Sequence, residues 1–219
     1  MSNLNINILK GINSRFKQGN DPKKWYHGSP VSFDKFDIKY RGSHIGKVPN
    51  TMAGFWFSDN RQIARGYADM YYHIDPEHYS PGFVRSVYIA AKNIIDINLY
   101  GQHPDDFMFM PDKHMAEKLI KFGYKQVQSD IALPILKEDR YFEVVKAFEK
   151  HNNPIFRIDC DFKKFWNMTK EYDAILFRNS SENNAMNNNS YVIVNDTSLI
   201  IDANEQKLSL AKMRSVNHK

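Results

Sequence analysis

Short apolar runs of strand type stand on both sides of a long helical middle, and that order is the tightest constraint the chain places on its own fold. Sheets built from repeated strand–helix–strand units need the two element types to alternate throughout. Here strand-like runs occur at Lys24–His27, Gly54–Ser58, Val84–Ala90 and Ile94–Ile97. Residues 111–150 then turn helical, and strands resume at Ile155–Ile158, Ala174–Arg178, Tyr191–Asn195 and Leu199–Ile201. The pattern predicts an α+β fold around mixed sheets, one domain over residues 1–219, with about 98–150 as a helical insertion.

Local signals fill in this outline. Residues 5–18 space their apolar positions for a first helix. Gly28-Ser29-Pro30 reads as the turn that ends the first strand. Asp59 or Ser58 can cap a helix over Arg61–Tyr72, and Pro111 suits the first position of the helical middle. The segment Asn179–Asn189, NSSENNAMNNN, is polar and aperiodic and is expected to be a mobile loop between strands. The tail from Gln206 is basic and polar and is expected to fray.

Composition excludes several classes of protein. With 42% hydrophobic and 14% aromatic residues, the chain has ample material for a core. The net charge of +5 suits an acidic or phosphate-bearing partner without selecting one. Cys160 is the single cysteine, which rules out an intrachain disulfide, and its flanking acids make it a poor nucleophile, hence structural. No run is long enough for a signal peptide or a membrane span, so the expected compartment is a reducing cytoplasm. Delivery into another cell without a signal would leave no mark in the sequence.

Two further features are set aside. Gly42–Lys47 lacks the spacing of a phosphate-binding loop; a solvated basic turn is its commoner reading, the other being a cover over a phosphate by Arg41 or Lys47. His73 with His78, and His103 with Asp105 and Asp106, lack the spacing of metal ligands, so no metal is expected.

Three segments carry the chemistry. The first is Trp25-Tyr26-His27-Gly28-Ser29 with Phe33-Asp34-Lys35-Phe36-Asp37; the second is Gly54-Phe55-Trp56-Phe57-Ser58-Asp59 running into Ala64-Arg65-Gly66-Tyr67; the third is Ser190-Tyr191-Val192-Ile193-Val194. Singly each has a plain reading, as a structural histidine, a buried aromatic run, a helix tyrosine or a core strand. In this order they resemble the ADP-ribosyltransferases of the diphtheria-toxin and poly-ADP-ribose-polymerase type, in particular their small bacterial and phage-borne members. Val84–Ile89, Asn93–Ile97 and Glu171–Phe177 are similar to further strands of those proteins. The resemblance covers residues 25–97 and 170–200 and implies that family's split-sheet fold with flanking helices.

The resemblance also implies roles. NAD would be the substrate, lined by Trp56, Phe57 and Ser58. His27 would bond an adenosine-side ribose hydroxyl, a task suited to a neutral imidazole. The backbone of Gly28 would grip the nicotinamide carboxamide, Ser29 would add a hydroxyl contact, and Tyr67 would stack on the nicotinamide ring. Ser190 stands where the family has its catalytic Glu, so a dipole replaces a charge; Glu182 on the Asn-rich loop is the substitute acid. The acceptor of ADP-ribose would be a macromolecule, protein in preference to nucleic acid, met by the 179–189 loop, and the setting a toxin, a delivered effector or a phage-encoded modifier. The alternatives are an NAD glycohydrolase and an inactive NAD- or protein-binding module.

Overall fold

The computed structural model describes residues 11–42, 49–101, 106–138, 142–159, 161–180 and 189–203. Among them the strands are, in chain order, β1 (Lys17–Gln18), β2 (Asp21–Pro22), β3 (Trp25–Ser29), β4 (Phe55–Ser58), β5 (Phe83–Ile89), β6 (Ile94–Gly101), β7 (Asp106–Phe109), β8 (Gln126–Val127), β9 (Ile155–Asp159), β10 (Ala174–Ser180), β11 (Asn189–Val194) and β12 (Ile200–Asp202). β1 and β2 make a short ribbon. The main sheet has seven strands in the order β12-β5-β3-β4-β11-β10-β6. Every neighbouring pair is antiparallel except β6 and β10, which are parallel. With six α-helices among the described residues, the fold is α+β and mixed-sheet, as the order of segments predicts.

The central strands explain the burial. In β10 and β11 the runs Ala-Ile-Leu-Phe and Tyr-Val-Ile-Val are apolar at every position, so both faces of the sheet are covered. Ile175, Phe177, Tyr191 and Ile193 face a core with Phe109, Leu119, Phe156 and Phe165. Leu176, Val192 and Val194 face the other way, toward Trp25, Phe55 and Ile89. Burying one such side chain contributes about 1.5–3 kcal/mol, so the ladder fixes its register by its own pattern.

The crossover from β6 to β10 takes in the segment expected to be helical. It contains helices Lys113–Lys121, Ser129–Glu138 and Phe142–His151, as expected, but also a three-stranded sheet of order β7-β9-β8. The helix Phe162–Glu171, capped by Asp161, follows it, where the sequence pattern predicts no helix.

Several boundaries differ from expectation. In the described part of the predicted helix over 5–18, Asn13 accepts the Arg15 N–H and opens a 3-10 turn at Ser14–Phe16, after which β1 begins. β3 does not turn at Gly28, because Gly28 and Ser29 pair with Val84 and Phe83 of β5. The cap of the Arg61–Ala68 helix is Asn60, whose side chain accepts the Gln62 N–H, while Ser58 and Asp59 are engaged elsewhere. The helix breaks at Asp69 and restarts as Met70–Ile74, and the Asp69 carboxylate accepts the Gly82 N–H at 2.8 Å. Pro111 lies outside its helix, which Asp112 caps. Cys160, the 206–219 tail, Lys47, His103 with Asp105, and the centre of the Asn-rich loop with Glu182 lie outside the described residues.

Candidate functional site

The seven-stranded sheet has a seam. β5 follows β3 along its whole length, from Trp25–Val87 to Ser29–Phe83, and β11 follows β4 from Tyr191–Ser58 to Val194–Phe55. β3 and β4 themselves meet through a single residue pair, Tyr26 with Ser58, and then part. Just beyond that pair the His27 ring spans the gap, with Nδ1 2.8 Å from the Trp56 carbonyl oxygen. A carbonyl only accepts, so Nδ1 donates and the ring is held as one tautomer.

Four phenylalanines surround this imidazole, with ring centroids at 5.2 Å for Phe36, 5.5 Å for Phe57, 6.0 Å for Phe33 and 6.3 Å for Phe55. Phe33 and Phe36 come from the segment after β3, and Arg85 of β5 holds that segment in place. Its guanidinium donates to the Phe33 carbonyl and to that of Asp34, stacks 5.0 Å from the Phe33 ring, and pairs with Asp202 of β12 at 2.7 Å. The sequence reading assigned Arg85 no role; a cation facing an aromatic segment across a strand pair was the available signal.

Gly28 lies on the other face. A Cβ there would fall 1.9 Å from the Ala64 carbonyl oxygen, so the glycine is what lets the Arg61–Ala68 helix lie directly on β3. The far end of that helix is clamped as well. A Cβ on Gly82 would fall 2.1 Å from the Ala68 oxygen, and Arg65 donates to the Gly82 carbonyl at 2.8 Å. Tyr67 rides on this clamped helix with 36% of its surface exposed. Ser29 is buried, and its hydroxyl donates to Val31 O at 2.8 Å, so its hydrogen is already committed within the chain.

At the other end of the seam lie Ser58 and Ser190. Ser58 is buried and its Oγ accepts the Asn60 N–H at 3.1 Å. Ser190 is tied by its backbone to Asp59: its N–H donates to Asp59 Oδ1 at 2.8 Å, and the Asp59 N–H donates to its carbonyl at 3.0 Å. Asp59 also pairs with Lys23 at 2.8 Å. The acid beside Ser190 among the described residues is therefore Asp59, and the expected helix cap falls to Asn60 instead. Asp196 sits past the opposite end of β11, where it caps the 3-10 turn Thr197–Leu199.

The remaining predicted residues separate by face. Phe57 shares the His27 side, whereas the Trp56 indole lies on the opposite face, stacked on Phe177 at 5.9 Å and 5° between planes. Arg41 turns away from the seam. It donates to Asn195 at 2.6 Å and lies 4.3 Å over the Trp166 ring, and burial holds its guanidinium below its ordinary range.

Among the described residues no three His, Cys, Asp or Glu side chains gather as a metal site, and no helix is long and apolar enough to cross a membrane. The model of a family of ADP-ribosyltransferases in polyvalent proteins matches residues 17–208. No curated protein and no solved structure matches the chain.

Proposed function

The chain belongs to the family of ADP-ribosyltransferases in polyvalent proteins, and on that premise we propose that it breaks the nicotinamide–ribose bond of NAD and passes ADP-ribose to a protein acceptor. The observation that carries this reading is the seam between β3 and β4, where segments from residues 25–29, 55–58, 61–68 and 189–194 adjoin. His27 and Phe57 lie on one face of the sheet and Gly28 and the helix of Tyr67 on the other. A ligand reaching both sets would lie across the edge where β3 parts from β4. An extended dinucleotide has that shape.

In this reading His27, with its tautomer set by Trp56 O, bonds a ribose hydroxyl. The Gly28 backbone grips the carboxamide, and Tyr67 stacks on the pyridinium, a contact worth about 0.5–2 kcal/mol. The acceptor forms the new bond at ribose C1′ and loses its proton, while nicotinamide leaves as a neutral molecule with the electrons of the old bond. Ser190 contributes a dipole near C1′ in place of the carboxylate of related proteins, with Glu182 as the acid that compensates. The same serine favours a second reading, a module that binds NAD and transfers nothing. The biological setting we infer is conflict: a toxin, a delivered effector or a phage-encoded modifier.

Incubation with labelled NAD and a cell lysate separates these readings. Label on protein, absent with the His27→Ala variant, supports transfer. Nicotinamide release without label indicates a glycohydrolase, and NAD binding without either indicates the binding module.

A further inference from the structure

One stretch of surface beside the seam has the wrong charge for this protein. The chain carries 30 Lys and Arg, yet from Gly66 to Val84 it has none, while Asp69, Asp75 and Glu77 all fall there with four tyrosines. Asp69 is used internally, by Arg65 at 3.3 Å and the Gly82 N–H. The Asp75 carboxylate accepts the His78 N–H at 3.3 Å and lies 2.8 Å from the exposed His78 ring, and Glu77 is exposed.

Tyr67, Tyr71, Ile74 and Tyr79 form a strip, with Phe83 exposed at the end of the same stretch. The Asp69 N–H bonds Arg65 O and the His73 N–H bonds Asp69 O, so the i to i+4 ladder crosses the break between the two helices. Tyr67, Tyr71 and Ile74 consequently share one side at helical spacing. Tyr79 returns over Tyr71, with ring centroids 5.4 Å apart and planes 26° from parallel. Ile74 is 75% exposed, Phe83 52% and Tyr79 49%. Large apolar side chains left in water next to carboxylates mark a surface that a partner covers.

We propose that this strip docks the acceptor polypeptide and takes a segment bearing Arg or Lys. This rests on the reading of the seam as an NAD site. Exposed tyrosine rings receive a guanidinium or ammonium on their faces, and Asp75 and Glu77 pair with it at the rim. A nucleic acid would set its phosphates against the two carboxylates with no cation in the stretch to receive them. Position argues the same way: Tyr71 is one helical turn from Tyr67, so a segment lying on the strip ends beside the nicotinamide–ribose bond.

The test is titration of the full chain with poly-L-arginine and with duplex DNA, alongside nicotinamide release into water. In the Asp75→Lys/Glu77→Lys variant, poly-L-arginine binding should weaken about tenfold while nicotinamide release stays at the starting rate. Ile74→Ser, at the most exposed position, should weaken poly-L-arginine binding by a smaller factor with no change in thermal unfolding. Unchanged poly-L-arginine binding in both variants overturns the proposal. So does duplex DNA binding that falls on charge reversal, or a light-scattering mass of two chains that Tyr79→Ala reduces to one. If the starting protein neither binds NAD nor releases nicotinamide, the seam reading fails separately, and the peptide titration still reports on the strip.

Discussion

The two halves of the main sheet on either side of the seam are built on different principles. In the half with β4, β11, β10 and β6, apolar residues fill both faces of β10 and β11, and Asp96 of β6 pairs with Arg15 and Arg178. The ladder from Ile175–Ile193 to Phe177–Tyr191 is continuous with the parallel pairs to β6. In the half with β3, β5 and β12, Trp25, Val87, Ile89 and Ile201 supply buried bulk, and particular contacts are added to it: Gly28 against a helix backbone, His27 against a carbonyl, Arg85 against three partners. The proposed NAD site lies along the seam, where the shared ladder is thinnest.

Substitutions can break or sharpen that contrast. The largest effect is expected from Ile95→Ala, a fully buried scaffold position, at about 2–5 kcal/mol in denaturant unfolding. Its NAD affinity should not change; a loss would mean that the two halves are not separable. Gly28→Ala comes next, at about 1–3 kcal/mol, since the new methyl meets backbone and not a movable side chain. A thermal unfolding curve unchanged by it would remove the argument from close helix–strand contact. Tyr67→Ala and His27→Ala should each weaken NAD binding by about 1 kcal/mol by calorimetry, and near-normal affinity in both would unseat the site. The smallest effect belongs to Asp37, where the Lys39 N–H holds the carboxyl below its ordinary range. Its contribution is present above the ordinary carboxylate pKa and fades as pH falls through the lowered one. Unfolding curves of Asp37→Asn and the starting protein should therefore converge at acid pH and separate slightly at neutral pH.

The contrast also decides what the sequence discloses. Strands such as Tyr191–Val194 announce themselves, because burial on both faces requires an unbroken apolar run. The order of His27-Gly28, Trp56 and Tyr67 likewise points to the family without any coordinates. What stays hidden depends on partners far along the chain. β7 and β8 are short and become strands only through β9. The helix break at Asp69 is set by Gly82. Nothing local reveals that Asp59 is spent on Ser190 and Lys23, that the Ser29 hydroxyl turns to Val31, or that the Trp56 indole packs against the opposite face from His27.

The parallel pairing of β6 with β10 bears on how the chain reaches this structure. The Asp173 carboxylate accepts the Asn93 N–H across a sequence separation of 80, at the very start of that pairing. Closing a flexible loop of that length costs about 4 kcal/mol of chain entropy before any contact is formed. The intervening residues include a small sheet and helices with an apolar cluster of their own, around Leu136, Val144 and Ile155. If those segments condense first, the ends of the loop are brought near each other and the search is shortened. These segments would then act as a folding intermediary, and loosening their cluster by Val144→Ala, at unchanged chain length, should slow refolding more than it speeds unfolding.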